Sequence, residues 1–188
     1  MGVLFTIQVV PGGGDDVLHV LAGDVKSVFK RGQALCQEAW SYRVPRRASL
    51  VVAAVEGDSR QQTWDNVGRA ISAAAGAVTD DGAIAVCTDL AAELGPGMRQ
   101  LAGTDDLDRA LRRIMRDSPA DALPAAQLAH ALEHGRVYLL SRLDESVVEE
   151  LGVAPVTSGE QIARLASRHP SCILLANAQR AIATADEE

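Results

Sequence analysis

An unbroken apolar run, SLVVAAV at residues 49–55, constrains the fold of this chain more than any other segment. A strand with one solvated face alternates apolar and polar residues, so a run without alternation predicts a strand covered on both faces. Similar short runs recur at AIAVCT, RVYLLS and SCILLAN, with helical spacing of apolar residues between them. The sequence therefore predicts an α/β domain of Rossmann-like, three-layer type, with a mostly parallel sheet flanked by helices.

The N-terminal segment has a different pattern. VLFTIQVV and DVLHVLAG are extended runs on either side of PGGGDD, which predicts a β-hairpin. A strand follows Gly14, so this glycine-rich turn lacks the helix N-terminus that a phosphate-binding loop requires. We predict one domain over residues 1–184, with the hairpin at its start, and a disordered tail over 185–188.

Apolar residues at spacings of three and four predict the helices. One begins at the N-cap Asp24 and ends near Trp40, followed by a polar connection, SYRVPRRA. The next ends at Val78 and is followed by a turn, TDDG. A helical region over 98–134 is broken near Gly103 and Ser118, and ESVVEELG and GEQIARLASRH are shorter helices.

Composition excludes several functions. The net charge of −7, with no concentrated excess of Lys and Arg, argues against nucleic-acid and anionic-membrane surfaces. Small molecules or proteins are the expected partners. The sequence has neither an apolar run of about 18 residues nor a signal sequence, which indicates a cytoplasmic protein. Cys36, Cys87 and Cys172 lie in apolar segments without a CxxC pair, so we predict reduced, buried cysteines.

The carboxyl ends of parallel strands are where ligands bind, because the loops there are free and helix N-termini point to them. Polar residues that follow the four predicted strands are therefore candidate site residues. They are, strand by strand, Glu56, Asp58 and Ser59; Thr88, Asp89 and Glu93; Ser141 and Arg142; and Asn177 and Gln179.

The segment EGDSRQQTWDNVGRAI allows two helix starts. Ser59 with Gln62 matches a capping box, which places Arg69 far from the strand end. Thr63 is an equally acceptable N-cap, and it places Asn66 and Arg69 in the first two turns near the pocket edge. For the role of Arg69, spacing alone favours a structural interpretation, in which Arg69 forms an exposed ion pair with Asp65.

His130 and His134 share a helical face but lack a nearby third ligand, and a His at a helix C-terminus is also favoured by the helix dipole. The sequence therefore predicts no metal site in this chain.

The order of these segments resembles one family. The run VFKRGQALCQEAWSYRVPRRASLVVAAVEGDSRQQTWDNVGRAISAAAGAVTDDGAIAVCTDLAAELG, with the later VYLLSRLDESVVEELGVAPV and SCILLAN, resembles the C-terminal domain of the nickel-dependent lactate racemases from about residue 20 onward. In that family a strand and a Gly-containing turn lead to a helix with a Gln-x-x-Lys pair. By position the Gln falls on Asn66 and the catalytic Lys on Arg69, so both residues are changed.

The resemblance implies a domain that positions the substrate of a 2-hydroxy acid racemase or epimerase. Arg69 would bind the substrate carboxylate, which a guanidinium contacts through two parallel hydrogen bonds, and Asn66 would hydrogen-bond beside it. The surrounding pocket would contain Glu56, Asp58, Thr88, Asp89 and Glu93.

In the family, an N-terminal domain holds the nickel-pincer nucleotide and the acid–base histidines, and that domain has no counterpart in these 188 residues. The resemblance thus implies that the missing N-terminal domain of the same protein is the partner, that this chain alone holds no cofactor, and that it is inactive in isolation. An apolar face left by the missing domain would favour a homodimer. The alternative is a non-catalytic α/β binding or interaction module.

Overall fold

A computed structural model gives the structure of residues 4–186, and all structural statements below refer to those residues. Their contacts group into two compact units, the first ending at Tyr42 and the second beginning at Arg43. The single domain over 1–184 stays a prediction. None of the helices between residues 4 and 186 combines the length and the apolar character needed to cross a membrane.

The first unit is the predicted hairpin followed by the predicted helix. Strands β1 (Thr6–Pro11) and β2 (Val17–Gly23) pair antiparallel, and helix α1 spans Val25–Trp40. Asp24 is the N-cap, as predicted, because its carboxylate accepts a hydrogen bond from the Ser27 amide at 3.0 Å. At the other end of the helix, the indole of Trp40 is buried and donates to the Pro11 carbonyl at 2.9 Å.

One face of this hairpin is apolar and exposed. Ile7 pairs with Ala22 and Val9 with Val20 across the strands, so their side chains point to the same face. Five large apolar side chains of this region are each at least 48% exposed; they are Phe5, Ile7, Val9, Leu18 and Val20. We call these five side chains the hairpin face.

The second unit contains the main sheet. Its five strands are β4 (Ala48–Ala54), β5 (Val78–Cys87), β6 (Arg136–Leu140), β7 (Ala154–Val156) and β8 (Cys172–Leu175). They are parallel and lie in the order β7-β6-β5-β4-β8. The predicted α/β fold, with its mostly parallel sheet and N-terminal hairpin, is confirmed.

Helices cover both faces of this sheet. They are α2 (Trp64–Ala75), α3 (Pro96–Leu101), α4 (Leu107–Asp117), α5 (Ala122–His134), α6 (Glu145–Glu150) and α7 (Gly159–Arg168). Helices α2 to α6 contribute to a core on one face, with Val51 and Ile84 of the sheet at its centre. On the other face, Leu50 and Val52 pack against Ile162 of α7. The run SLVVAAV lacks alternation because it is buried from both sides.

Three short strands were not predicted. Strand β3 (Ser41–Val44) lies within the predicted connection SYRVPRRA, β7 has three residues, and β9 (Ile182–Ala185) lies close to the C-terminus. Within the tail predicted to be disordered, Ala185 ends β9, and Asp186 donates its amide to the Val44 carbonyl at 3.0 Å. Residues 187 and 188 lie outside the described residues.

The predicted TDDG turn is wrong, because residues 79–82 belong to strand β5. Val78 pairs with Ala48, and the register then shifts so that Ala83 pairs with Leu50. The polar residues of TDDG therefore occupy an irregular, exposed start of the strand, where their solvated side chains do not interrupt the sheet.

The strand order places a topological switch between β4 and β8. The chain adds β5, β6 and β7 on one side of β4, then returns to place β8 on the other side. Right-handed crossovers in opposite directions put their helices on opposite faces, which is why α7 lies across the sheet from α2. A crevice for ligands is expected outside the carboxyl ends of β4 and β8.

Candidate functional site

Helix α2 begins at the second of the two predicted N-caps. The Thr63 hydroxyl accepts from the Asn66 amide at 3.3 Å, while Ser59 lies in the preceding turns. Arg69 therefore lies in the second helical turn, about 9 Å along the axis from Thr63 at roughly 1.5 Å per residue. This is the alternative that brings Arg69 towards the carboxyl edge of the sheet.

Arg69 lines a groove of about 320 Å³ beside α2. Gln179 and Arg180, which follow β8, also line the groove, as does Gln127 of α5. The Arg69 guanidinium is exposed and makes no hydrogen bond or ion pair with any residue between 4 and 186, so the predicted Asp65–Arg69 pair does not form there. We call this feature the Arg69 groove. Its two guanidinium groups suit an anion.

Asn66 does not share that groove. It is 8% exposed, and its side-chain amide donates to the Gln61 carbonyl at 2.7 Å and to the Gln61 side-chain oxygen at 3.2 Å. Asn66 and Arg69, which were predicted to act together, therefore do not line the same groove. Asn66 instead holds the turn that leads into α2.

Gln62 joins the ends of the two central strands. Its amide nitrogen donates to the carbonyls of Val55 (3.4 Å) and Gly57 (3.1 Å), which follow β4. Its side-chain oxygen accepts from the Thr88 hydroxyl at 2.7 Å and the Asp89 amide at 2.9 Å, which follow β5. Thr88, predicted to line the pocket, is therefore buried and engaged with Gln62.

The switch between β4 and β8 is bridged by polar contacts. Gln179 donates to the Glu56 carbonyl at 2.9 Å and accepts from the Glu56 amide at 3.3 Å. The Asn177 amide donates to the Glu56 carboxylate at 2.8 Å, and its own side-chain oxygen is buried without a hydrogen-bond partner among residues 4–186. Asn177 has a left-handed backbone with φ of 50°, which a non-glycine residue adopts at a local cost. These contacts position Gln179 on the wall of the Arg69 groove.

The remaining predicted carboxylates each have an arginine partner. Asp58 pairs with Arg60 at 2.6 Å, and the hydrogen bonds from Arg60 hold the pKa of Asp58 below its ordinary value. The other two pairs are Asp89 with Arg142 at 2.9 Å and Glu93 with Arg99 at 3.8 Å. These side chains are exposed, so the pairs contribute little to stability. Each of the three carboxylates at the edge of the sheet thus has a guanidinium within 4 Å.

The described residues do not form a metal-binding site. Between residues 4 and 186 no group of three His, Cys, Asp or Glu side chains could hold a metal ion. The His134 ring contacts the His130 carbonyl at 2.8 Å, and the His130 ring contacts Glu133 at 3.2 Å.

The three cysteines are free thiols, but the prediction that all are buried is wrong. Cys172 is exposed because it begins β8, the edge strand beyond β4, while Cys36 and Cys87 are half-buried. Desolvation raises the pKa of Cys87 and of Cys172, which disfavours the nucleophilic thiolate.

Sequence reasoning missed two residues of this site. Gln62 was considered only as a partner of Ser59 in a capping box, whereas it bonds to residues after both β4 and β5. Arg180 was not singled out, although it directly follows Gln179 in a segment that comes after a buried strand. Its position there is the signal that pointed to Asn177 and Gln179.

The fold and the site together define a class: a Rossmann-like α/β domain with a guanidinium-lined groove next to the carboxyl edge of its sheet. No protein-family model matches the sequence, and no curated protein matches it. Among solved structures, it is similar to the lactate racemase apoprotein of Thermoanaerobacterium thermosaccharolyticum, with a TM-score of 0.80 and 17% identity over 98% of this chain and 46% of that one. The fold is thus lactate racemase-like.

A second similar structure is a protein from Thermotoga maritima, determined by a structural genomics consortium. The TM-score is 0.65, with 11% identity over 97% of this chain and 49% of that one. The chain therefore spans about half the length of both structures.

Proposed function

We propose that this chain positions the substrate of a 2-hydroxy acid racemase or epimerase of the lactate racemase type, as its C-terminal domain. The observation that carries the proposal is the Arg69 guanidinium, which has no partner among residues 4–186 and faces a groove shared with Arg180 and Gln179. A carboxylate accepts two parallel hydrogen bonds from one guanidinium, so this group orients a small acid as well as attracting it. Asn66, which is bonded to Gln61, acts by fixing the start of α2.

The same proposal assigns the missing chemistry to a partner. The described residues lack a metal ligand set, so we propose that the nickel-pincer nucleotide and the acid–base groups belong to the N-terminal domain of the same protein. The lactate racemase structure supports this arrangement, because the present chain covers only 46% of it. The hairpin face consists of exposed apolar side chains of the kind that mark a protein interface, and we assign it to contact with that domain.

The test of the carboxylate site is a titration of the chain with lactate, followed by NMR of backbone amides. Arg69→Gln is compared with Arg112→Gln, an exposed arginine on α4 that lies outside the groove. A charge-assisted hydrogen bond contributes about 1.5–3 kcal/mol, so we expect Arg69→Gln to weaken lactate roughly tenfold to a hundredfold. Arg112→Gln should leave the affinity unchanged.

Two analogues of lactate show which of its groups, the carboxylate or the hydroxyl, the groove recognises. Lactamide lacks the carboxylate and should not bind, whereas propionate keeps it and should bind more weakly than lactate. Equal shifts with lactate and lactamide, or lactate binding that survives Arg69→Gln, would refute the carboxylate role.

The hairpin face also favours the second candidate, a non-catalytic interaction module. That function predicts self-association or partner binding without any lactate-dependent change at α2. Sedimentation of the isolated chain tests the face: with the N-terminal domain absent, we expect a dimer that Val9→Glu or Val20→Glu disrupts. A monomer whose sedimentation is unchanged by these substitutions would contradict the interface.

A further inference from the structure

A second, more enclosed cavity lies at the opposite edge of the sheet, near the amino ends of the strands. It has a volume of about 300 Å³ and lies between the last turns of α2 and α5 and the start of β5. Its apolar wall consists of Ile71, Ala75, Val78, Ile84 and Ala131. We call it the amino-edge cavity. It shares Ser72 and Gln127 with the Arg69 groove, but it does not include Arg69.

The packing explains why space remains there. Helices α2 and α5 touch at Gly68, where an added Cβ would lie 2.9 Å from Pro124 Cα. Towards the ends of these helices the facing side chains are small, with Ala75 on α2 and Ala131 on α5. Gly82 and Gly135 also line the cavity, and their backbones are in direct contact, because an added Cβ on Gly135 would collide with the Gly82 carbonyl. The result is a preformed apolar space, the usual character of a small-molecule site.

Charged groups surround its opening unevenly. Arg47 donates to the Val78 carbonyl at 3.2 Å and lies 3.8 Å from Asp80, so its charge is already balanced. Arg136, the first residue of β6, makes no hydrogen bond or ion pair through its side chain to any residue from 4 to 186. His134 also lines the cavity, with Nδ1 next to the His130 carbonyl.

The C-terminal dipoles of α2 and α5 disfavour an anion at this opening, but more weakly than the Arg136 charge favours it. The C-termini of α2 and α5 point to this edge and together carry at most about one negative elementary charge, an effect that fades beyond the last turn. Their final carbonyls are partly satisfied, since Gly135 donates its amide to Ala131 and Ala77 donates to Ala74. Arg136 carries a full positive charge at the opening. The net preference is for an apolar molecule with one anionic end.

We propose that the amino-edge cavity binds a monocarboxylate of about eight to ten carbons, the carboxylate carbon included. The size follows from volume: a 150 Å³ apolar cavity holds one benzene, and this cavity is about twice as large. The carboxylate pairs with Arg136 and the hydrocarbon lies against Ile71, Val78 and Ile84. This site is distinct from the lactate site in position and in ligand class.

The test is a calorimetric titration with hexanoate, octanoate and decanoate. Each methylene buried strengthens binding about fourfold, so octanoate should bind roughly fifteen times more tightly than hexanoate. Octanol keeps the apolar body without the charge and should bind more weakly than octanoate. Lactate should not compete with octanoate, and Arg69→Gln should not change octanoate affinity, so failure of this site and failure of the lactate site are distinguishable.

Two variants locate the ligand. Ala75→Leu extends a side chain into the cavity from an exposed position and should weaken octanoate tenfold or more, whereas Ala163→Leu, on the exposed side of α7, should not. Arg136→Gln should weaken octanoate about threefold to tenfold and leave octanol unchanged. Affinity independent of chain length, or octanoate binding that survives Ala75→Leu, would overturn the proposal.

Discussion

Gln62→Leu is the substitution that most directly tests the architecture of the site. Gln62 is 8% exposed, and its four hydrogen bonds connect the residues after β4 with those after β5. Leucine has a similar size but cannot donate or accept. The change therefore removes all four bonds while it keeps most of the packing.

The expected cost follows from the partners left behind. The Val55 carbonyl and the Thr88 hydroxyl are in buried contacts, whereas Gly57 and Asp89 are in half-buried contacts that water replaces more easily. A buried polar group without a partner costs about 1–3 kcal/mol, and Thr88 keeps its bond from the Leu90 amide. We expect a loss of about 2–4 kcal/mol in the free energy of unfolding, or roughly 5–15 °C in Tm for a chain of this length.

The assay is equilibrium unfolding in urea, followed by the fluorescence of Trp64 in a Trp40→Phe background so that the second unit is observed. Gln161→Leu is the matched control, because Gln161 also accepts from a backbone amide and donates to a hydroxyl, at 3.2 and 2.9 Å, but in exposed positions. Its loss should be at most about 1 kcal/mol.

A double-mutant cycle with Thr88→Val isolates the Gln62–Thr88 contact. If the two side chains act together, their losses combine with a coupling of at least about 0.5 kcal/mol. A Gln62→Leu variant within about 0.5 kcal/mol of the parent, or a cycle without coupling, would refute the view that this amide holds the two strand ends together.

Further changes test other parts of the structure. Thr63→Ala removes the N-cap of α2 and should cost about 1 kcal/mol, while Ser59→Ala should cost under about 0.5, both by urea unfolding; the reverse order would favour the capping box. Gly68→Ala should lower the free energy of unfolding by about 1–3 kcal/mol, measured as a lower Tm, because the added Cβ would collide with Pro124 and Gln127. This loss outweighs the higher helix propensity of alanine. Gly159→Ala is the control: its Cβ meets no atom within 4 Å, so the Tm should not change. Thiol labelling should modify exposed Cys172 faster than half-buried Cys87; faster labelling of Cys87 would contradict its burial. Because desolvation raises the pKa of both thiols, both labelling rates should increase at a higher pH than the rate of an ordinary thiol does. Ser72→Glu places a carboxylate in the Arg69 groove and should reduce lactate affinity in the NMR titration, while Ser72→Gln should not.

The sequence predicted the elements whose pattern is local. Strand β4 has an uninterrupted apolar run, and α1 has both a periodic apolar stripe and a capping aspartate. Strands β7 and β9 have only three and four residues, so they are defined by the neighbours they pair with and not by their own pattern. The prediction of a turn at TDDG was wrong for the same reason, since the pairing of β5 with β4 keeps this segment extended.

Which residues meet at the carboxyl edge was easier to predict than the contacts they make there. The rule for parallel sheets selected the carboxyl edge and hence Glu56, Asn177 and Gln179, which do meet there. Asp89 and Arg142 pair across 53 positions of sequence, and no local spacing predicts that. The amino-edge cavity has no sequence signal, because it results from small side chains on two helices facing each other.

Charge pairing at the carboxyl edge explains why Arg69 is the residue to test. Asp58, Asp89 and Glu93 each have an arginine partner, and Glu56 is bonded by Asn177. None of these groups competes for the Arg69 guanidinium, which makes no ion pair between residues 4 and 186. An exposed arginine without a partner is ordinary on a surface, but here it shares a groove with Arg180 and with a glutamine fixed by two hydrogen bonds. A small carboxylate bound in this groove would complete the pairing that the chain's own acids leave open.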